Sequence, residues 1–194
     1  MNYSFFALIS RMKNIDRWAL MRNSYKENVQ EHSHMVAVLA HALAVIRRDV
    51  FGQDADPDAA AAAALFHDAS EILTGDMPTP VKYHSPEIMS AYKQIEKLAS
   101  DKLVGTLPEE MRGEYSALLN EEDNPQRDLI KAADKLAAYI KCLEELRAGN
   151  EEFRSAAIQT RNKLYALKLP EVDYFLEHFI TAFEMTLDEL DLNE

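Results

Sequence analysis

The chain lacks several features that would assign it to common classes of protein. Its 194 residues include one cysteine, Cys142, so an internal disulfide cannot form and a reducing compartment is expected. No apolar run is long enough to cross a bilayer. The short apolar patch at residues 5–9 has neither the longer core nor the cleavage site of a secretory signal. We therefore expect a cytoplasmic protein that does not bind membranes.

Positive charge and glycine are also scarce. The chain has 21 Lys and Arg against 33 Asp and Glu, a formal net charge of −12. This balance argues against binding of a nucleic-acid polymer, which usually needs a basic face. A small anionic substrate is still compatible, because a bound metal ion and one arginine can reverse the field locally. With only five glycines and 47% hydrophobic residues, the composition favours helices around a substantial core.

The spacing of apolar residues predicts an all-α fold. They recur three and four positions apart along most of the chain, and no convincing alternating strand pattern is found. We expect one compact domain over residues 1–194. Asn28 with Glu31 forms a capping-box pattern, and Asp56 followed by Pro57 matches an N-cap and first helical residue. The predicted helices cover residues 3–12, 28–50, a third from 56 through 71, then 86–104, 108–119, 125–148, 151–167 and 171–190.

An adjacent histidine and aspartate are the main clue to function. His67 and Asp68 follow the apolar run at residues 59–66, where burial without a partner is costly. A divalent cation is a natural partner, because it binds a neutral imidazole and an ionised carboxylate together. If the helix is continuous, Glu71 lies over the same face. A histidine on an apolar helix is nevertheless more often a hydrogen-bonded core residue than a ligand, so spacing alone leaves both interpretations open.

Two further candidate ligands lie far from this pair in sequence. His32 is favoured over His34, because residues two apart on a helix point in different directions. Asp134 is expected beside the core-facing stripe of its helix, partly buried and in need of a cation or donors. That stripe consists of Leu129, Ala133, Leu136, Ile140 and Leu143. Two imidazoles and two carboxylates without a thiolate disfavour a structural zinc cluster and suit manganese, cobalt, iron, nickel or a catalytic zinc.

These residues form an H…HD…D pattern that resembles the HD-domain superfamily of metal-dependent phosphohydrolases. Longer segments, at residues 17–23, 27–33, 67–83 and 139–146, resemble the bacterial HD-domain 5′-deoxynucleotidases. This resemblance spans most of the chain. It implies a cytosolic, all-α HD-domain homodimer that hydrolyses deoxyribonucleoside 5′-monophosphates to deoxynucleoside and phosphate and selects against ribonucleotides.

The resemblance also implies roles for individual residues. It makes Glu71 the catalytic carboxylate, Arg17 the group that orients the phosphate and Trp18 the residue that crowds a 2′-hydroxyl. One divalent transition metal ion, such as cobalt or manganese, would be bound by His32, His67, Asp68 and Asp134. A substrate-contacting loop would comprise Asp76, Met77, Pro78 and Thr79, with Asp76 assisting catalysis. Three of the ligands, His32, Asp68 and Asp134, are also expected to contact the substrate.

Other functions remain open at this point. A different HD phosphohydrolase would act on nucleoside triphosphates or cyclic nucleotides, but the short chain and the absence of a basic triphosphate cluster favour monophosphates. A non-catalytic sensor is disfavoured by the intact ligand pattern and Glu71. Without the resemblance, Arg17 would be interpreted as a surface arginine and Trp18 as a packing residue. Met77, Lys135 and a short segment at residues 120–127 depart from the family's pattern, which bears on base preference or the dimer surface.

Overall fold

The fold is all-α, as the sequence predicts. The computed structural model describes residues 2–82, 84–120 and 124–190, apart from the side chain of Thr79. Residues 121–123 of the short segment noted above therefore lie outside the described residues. Within these ranges there is no strand, and the β-type pairing is an isolated antiparallel bridge between Asp16 and Asn28. None of the helices in these ranges combines the length and apolar character needed to cross a membrane.

The helices are numbered in chain order. They are α1 (Phe5–Ile9), α2 (Val29–Val45), α3 (Pro57–Ala64), α4 (Glu71–Thr74), α5 (Thr79–Lys82), α6 (Pro86–Gly105), α7 (Glu109–Leu119), α8 (Arg127–Arg147), α9 (Arg154–Ala166) and α10 (Pro170–His178). Short 3₁₀ segments follow α1, precede α9 and follow α10, and a π-helical turn, Ile46–Val50, continues α2.

Both predicted helix starts are confirmed. At the start of α2, the side chain of Asn28 accepts from the backbone N–H of Glu31, and the Glu31 carboxylate accepts from the backbone N–H of Asn28. At the start of α3, the Asp56 carboxylate accepts from the N–H of Ala59 at 3.0 Å, and Pro57 occupies the first turn. These caps satisfy backbone donors that have no partner within the helix.

The main core forms where α2 packs against α3 and α8, with α9 covering α8. The predicted apolar stripe of α8 is buried along its whole length, from Leu129 to Leu143. A smaller cluster joins α1 and α6 to the turn after α3 through Phe5, Ala69, Leu103 and Leu107. The segment between α3 and α4 is therefore anchored in this cluster by Ala69, next to His67 and Asp68.

The prediction of one continuous third helix through Glu71 is wrong. Helix α3 ends at Ala64, residues 65–70 form consecutive turns, and Glu71 begins the separate helix α4. The turns are closed by tight bonds such as Ala69 N–H to the carbonyl of Phe66, at 3.0 Å. The ring nitrogen Nδ1 of His67 bonds the carbonyl of Ala64 at 2.7 Å, which gives a terminal helix carbonyl a partner outside the helical ladder. Helical spacing therefore does not explain how Glu71 reaches the site.

Other predicted boundaries also change. The predicted helix at residues 171–190 is divided, because α10 ends at His178 and two 3₁₀ segments follow, Ile180–Glu184 and Leu187–Glu189. The first predicted helix is a short α1 continued by the 3₁₀ segment Ser10–Asn14. The one-turn helix α5 lies in and beyond the proline-containing stretch that was expected only to interrupt helical structure. Pro80 is tolerated there because it occupies the first turn.

Candidate metal and substrate site

His32 and Asp134 meet across the core. His32 lies on the buried face of α2 with no exposed surface, whereas His34 is exposed, as helical spacing predicts. Nε2 of His32 lies 3.1 Å from Oδ1 of Asp134 on α8 and 3.7 Å from Oδ2 of Asp68. The side chain of Asp134 is 39% exposed, which agrees with its predicted place on the flank of the α8 stripe. This pairing puts one imidazole between two carboxylates.

His67 and Asp68 approach the same point from the turn after α3. A carbonyl can only accept a hydrogen bond, so the contact to Ala64 requires the proton of His67 on Nδ1. In its neutral form, the ring therefore presents the lone pair of Nε2, which lies 3.1 Å from Oδ2 of Asp68. That nitrogen has no hydrogen-bond partner among the described residues. These two groups need a shared cation, which is a proton on Nε2 in the metal-free protein and would be a metal ion when one is bound, as expected for a metal-binding histidine.

The candidate ligands form a compact group. Donor atoms of His32, His67 and Asp68 all lie within 4.8 Å of one another, and Asp134 adjoins them through His32. Burial tends to lower the pKa of His67, but the charges of Asp68 and Asp134 outweigh it and raise that pKa to about 9. The pKa of Asp68 lies below its ordinary value, because the neighbouring His67 and Arg17 outweigh the effect of burial. The site thus stabilises positive charge, and its donor set fits a divalent cation.

Arg17 closes one side of this group. It lies in the irregular segment before α2, and its side chain is only 12% exposed. Nη1 of Arg17 donates to Oδ2 of Asp68 at 3.2 Å, and Nε donates to Oε2 of Glu27 at 3.1 Å. Burial tends to lower the pKa of Arg17, but the surrounding carboxylates raise it above its ordinary value. The guanidinium is therefore permanently charged and is held beside the candidate ligands.

Trp18 follows Arg17 in a constrained conformation. Its φ of +57° lies in the left-handed region that residues other than glycine seldom adopt. Nε1 donates to Oε2 of Glu27 at 3.1 Å, and the ring packs against Phe153 with a centroid distance of 5.4 Å. The backbone carbonyl of Trp18 accepts from Nδ2 of Asn23 at 3.2 Å. The predicted sugar-contacting residue is therefore held in place at both its backbone and its side chain.

Glu71 and Asp76 add two more carboxyl groups to the site. Glu71 is 6% exposed at the start of α4, and its Oε2 has no hydrogen-bond partner among the described residues. Burial, together with the charges of Asp68 and Asp76, raises the pKa of Glu71 to about 9. Burial also raises the pKa of Asp76 above its ordinary value. Gly75, with φ +73°, supplies the left-handed turn between them.

The rest of the predicted substrate loop leads away from Asp76 toward α5. Met77 and Pro78 are half-buried in the extended stretch between α4 and α5. Thr79 is the first residue of α5, and its side chain lies outside the described residues. Within this loop, Asp76 is the residue that interacts electrostatically with the candidate metal site, through Arg17 and Asp68.

A cleft of about 510 Å³ opens beside the candidate ligands. Its volume is in the range of small-molecule sites. Its wall includes His67, Asp68 and Asp134 at one end, and α6 and α8 contribute cationic side chains that include Lys93, Lys97, Lys131 and Lys135. In a chain with a net charge of −12, this concentration of lysines gives an anionic ligand a locally favourable approach.

Sequence reasoning missed Glu27 as a site residue. Its carboxylate bonds both Arg17 and Trp18, ten and nine positions earlier in the chain. The sequence offered one indication that Glu27 matters: it directly precedes the capping residue Asn28, within a segment that resembles the 5′-deoxynucleotidases. Nothing in the spacing reveals that the chain folds back on itself there, because the bridge between Asp16 and Asn28 is a tertiary feature.

Comparisons with known proteins agree with this geometry. A family model described as 5′-deoxynucleotidase YfbR-like matches residues 4–183. A 5′-deoxynucleotidase of Yersinia pseudotuberculosis is 48% identical over 191 residues, which cover 97% of this chain and 97% of the relative. Both similarities extend over nearly the whole chain, and the matched range 4–183 contains all of the candidate site residues.

Solved structures share the fold. An HD-domain phosphohydrolase from Listeria innocua superposes with a TM-score of 0.81 at 24% identity, covering 93% of this chain and 88% of that one. An HD phosphohydrolase of cyanophage S-2L, solved with dA and one catalytic Zn²⁺ ion, superposes with a TM-score of 0.57 at 23% identity over 91% of this chain and 96% of that one. The arrangement of helices is therefore that of HD-domain phosphohydrolases.

Proposed function

Because the chain belongs to the YfbR-like 5′-deoxynucleotidase family, we propose that it hydrolyses deoxyribonucleoside 5′-monophosphates to deoxynucleoside and phosphate. The observation that supports this most directly is the gathering of His32, His67 and Asp68 within 4.8 Å, next to Arg17 and Glu71. This combination places a candidate phosphate-binding arginine and a carboxyl group beside a candidate cation site, and the cation-site residues His67, Asp68 and Asp134 line the cleft described above.

One divalent transition metal ion, such as cobalt, manganese or zinc, would be held by His32, His67, Asp68 and Asp134. The fit rests on the lone pair of His67 Nε2 facing the Asp68 carboxylate and on the oxygen-and-nitrogen donor set. When bound, such an ion supplies charge stabilisation to the phosphate and activates the water that attacks it.

Arg17 orients the phosphate. Two of its five N–H donors are used by Glu27 and Asp68, and the remaining donors form a planar edge that matches phosphate oxygens. Glu71 accepts a proton from the attacking water through Oε2, which has no competing partner among the described residues. The raised pKa of Glu71 makes its ionised form a stronger base than an exposed glutamate, and the positive charge of a bound metal ion would favour that ionised form. Asp76 assists from the neighbouring loop, near the leaving 5′-oxygen.

Trp18 selects against ribonucleotides by crowding the 2′-position of the sugar. This role is supported by the rigidity of the residue, which is held by Glu27, Asn23 and Phe153. A fixed bulky ring excludes an additional hydroxyl more effectively than a mobile one. The substrate also contacts His32, Asp68, Asp134 and the loop residues Asp76, Met77, Pro78 and Thr79.

We further propose that residues 1–194 form one HD domain that acts as a cytoplasmic homodimer. Ile88, Ile95 and Leu98 of α6 are exposed on the surface and offer an apolar area that a second copy would cover. Light scattering after gel filtration tests the dimer, and a monomer at micromolar concentration contradicts it. Cell fractionation tests the location.

A metal-by-substrate screen of phosphate release tests the activity. The metal-depleted protein is supplied with cobalt, manganese, zinc or magnesium and assayed with dAMP, AMP, dATP and cyclic AMP. We expect phosphate from dAMP in at least one transition metal, much less from AMP and none from dATP. The nucleotide products are also separated by chromatography, because opening of cyclic AMP gives AMP without phosphate and dATP can release pyrophosphate or triphosphate. Turnover of dATP or cyclic AMP in preference to dAMP would instead indicate one of the other HD phosphohydrolase activities. Binding without product release in every metal would indicate a sensor.

A further inference from the structure

Glu27 connects the two residues before α2 that the proposed function uses on the substrate. Its Oε2 accepts from Nε of Arg17 and from Nε1 of Trp18, each at 3.1 Å. The carboxylate is 17% exposed, so water competes little for these bonds. Hydrogen bonds to an ionised acceptor in such surroundings are stronger and more directional than neutral ones. One oxygen atom therefore fixes the orientation of both side chains.

The backbone of Glu27 reinforces this arrangement. Its carbonyl accepts from the N–H of Arg17 at 2.9 Å, and the N–H of Val29 donates to the carbonyl of Ile15 at 3.0 Å. These bonds flank the bridge between Asp16 and Asn28 at the start of α2. The position of Glu27 is thus set by the same helix that presents His32 to the candidate metal site.

Both residues held by Glu27 need such support. Trp18 has φ +57°, and a conformation of this kind persists only where the surrounding contacts hold it. Nη1 of Arg17 already donates to Asp68, and the bond from Nε to Glu27 fixes the plane of the guanidinium. Once the plane is fixed, the direction of the remaining N–H donors of the guanidinium, including those on Nη2, is fixed as well. The direction of the phosphate-binding edge and the position of the indole are therefore coupled through one carboxylate.

We propose that Glu27 is a positioning residue that sets Arg17 and Trp18 together and so determines how strongly the enzyme prefers deoxyribonucleotides over ribonucleotides. This inference rests on the proposed function. It adds that sugar selection depends on a residue that itself touches neither sugar nor phosphate, and that binding of the phosphate and exclusion of the 2′-hydroxyl are not independent properties.

The test uses Glu27→Gln, which preserves size but replaces one acceptor oxygen with an NH₂ group and removes the charge. Glu152→Gln is the matched control, because Glu152 bonds Nε of Arg22 in the same loop at 3.0 Å and contacts neither Arg17 nor Trp18. Trp18 is the only tryptophan of the chain, so intrinsic fluorescence of the metal-free proteins reports directly on the indole.

For Glu27→Gln we expect kcat/KM for dAMP to fall about tenfold, mainly through KM, and the dAMP-to-AMP preference to fall about fivefold or more, in line with loss of a hydrogen bond to a charged group. The emission maximum of Trp18 should shift, with metal content unchanged. Glu152→Gln should change none of these. An unchanged spectrum and an unchanged dAMP-to-AMP preference in Glu27→Gln would overturn the proposal, as would equal losses with both nucleotides at constant preference.

A second variant keeps the inference testable if Glu27→Gln folds poorly. Trp18→Phe retains an aromatic ring but removes the N–H that Glu27 accepts, and it should also lower the dAMP-to-AMP preference. Where Glu27→Gln does fold, the two losses of dAMP-to-AMP preference should be less than additive in the double variant, because both substitutions remove the same contact. Fully additive losses contradict the proposal. If the parent protein releases no phosphate from dAMP, the proposed function fails, whereas the fluorescence comparison still decides whether Glu27 fixes the indole.

Discussion

Nε2 of His32 lies 3.1 Å from Oδ1 of Asp134, although 102 positions separate these residues in the chain. The contact exists because α2 and α8 pack against each other in the main core. Each helix buries an apolar face there, and each places one polar side chain where those faces end. Half of the candidate metal site is thus a direct product of core packing, because His32 and Asp134 are held by two helices of the main core.

Replacement of Asp134 by alanine should remove the bound metal. The variant leaves His32, His67 and Asp68 with one carboxylate fewer, so we expect metal content to fall at least about tenfold and phosphate release from dAMP to fall with it. Elemental analysis after gel filtration measures the metal content, and a phosphate assay measures hydrolysis of dAMP. Asp173→Ala, at an exposed position of α10, is the control. Full metal occupancy in Asp134→Ala would exclude Asp134 as a ligand.

Replacement of Glu71 by glutamine should separate metal binding from turnover. The amide retains the volume of the buried side chain but cannot accept a proton from water, so kcat for dAMP should fall about 10²–10⁴-fold. Metal content should stay at the parent value. Glu109→Gln, on the exposed surface of α7, should have no effect on either. Near-normal turnover in Glu71→Gln would remove this carboxylate from the mechanism.

Replacement of Trp18 by alanine should weaken sugar selection. Removal of the ring opens space at the predicted 2′-position, so the ratio of kcat/KM for dAMP over AMP should fall about tenfold or more. Steady-state assays of both nucleotides measure this ratio. Tyr25→Ala provides the control, since this aromatic side chain of the same loop is 69% exposed. An unchanged ratio would assign sugar selection to another residue.

Glu145 should make the stability of the protein sensitive to acid. It is fully buried and accepts from the N–H groups of Ser24 and Tyr25 and from the side chains of Lys141 and Asn150. Burial tends to raise its pKa, but these donors hold it at about 2, below the ordinary value of 4.5. Because the folded-state pKa is lowered, this carboxylate stabilises the fold above about pH 4.5 and loses that contribution as the pH falls toward 2.

The matching variant is Glu145→Gln. At pH 7 it leaves the buried Lys141 without its ionised partner, so the free energy of unfolding should fall by about 3 kcal/mol. The difference from the parent should shrink between pH 4.5 and pH 3. Denaturant unfolding at pH 4.5 and at pH 3 measures this difference in the free energy of unfolding. Glu144→Gln, at the exposed neighbouring position, is the control. A difference that stays constant with pH would show that ionisation of Glu145 is not the source of the stability.

Features that depend on local sequence could be predicted, whereas features created by tertiary contact could not. The capping residues of α2 and α3 and the buried stripe of α8 follow from spacings of three and four residues. The end of α3 at Ala64 was missed, because it accompanies the bond from His67 to a helix carbonyl rather than a glycine or proline. That same break invalidates the helical argument for Glu71, which nevertheless lies in the site.

The residues of the candidate site also divide into those that the sequence identifies and those that only tertiary contacts reveal. Sequence pattern and resemblance identified the four candidate ligands, Arg17 and Trp18, and the structure brings them together. Glu27 was not identified, since its contacts with Arg17 and Trp18 require the chain to reverse direction between residues 16 and 28. Such a reversal leaves no periodic signal, because it is stabilised by single hydrogen bonds between distant residues.

The alanine-rich sequence of α3 has a consequence for the evolution of the site. Six consecutive alanines end this helix, and the three that face inward, Ala60, Ala63 and Ala64, are buried where α3 packs against α2. Methyl side chains let the two backbones approach closely, and the separation of these helices determines how far His67 lies from His32. A larger residue at any of the three would widen that gap. Substitution there is therefore restricted by catalysis as well as by stability, although none of these alanines carries a functional group.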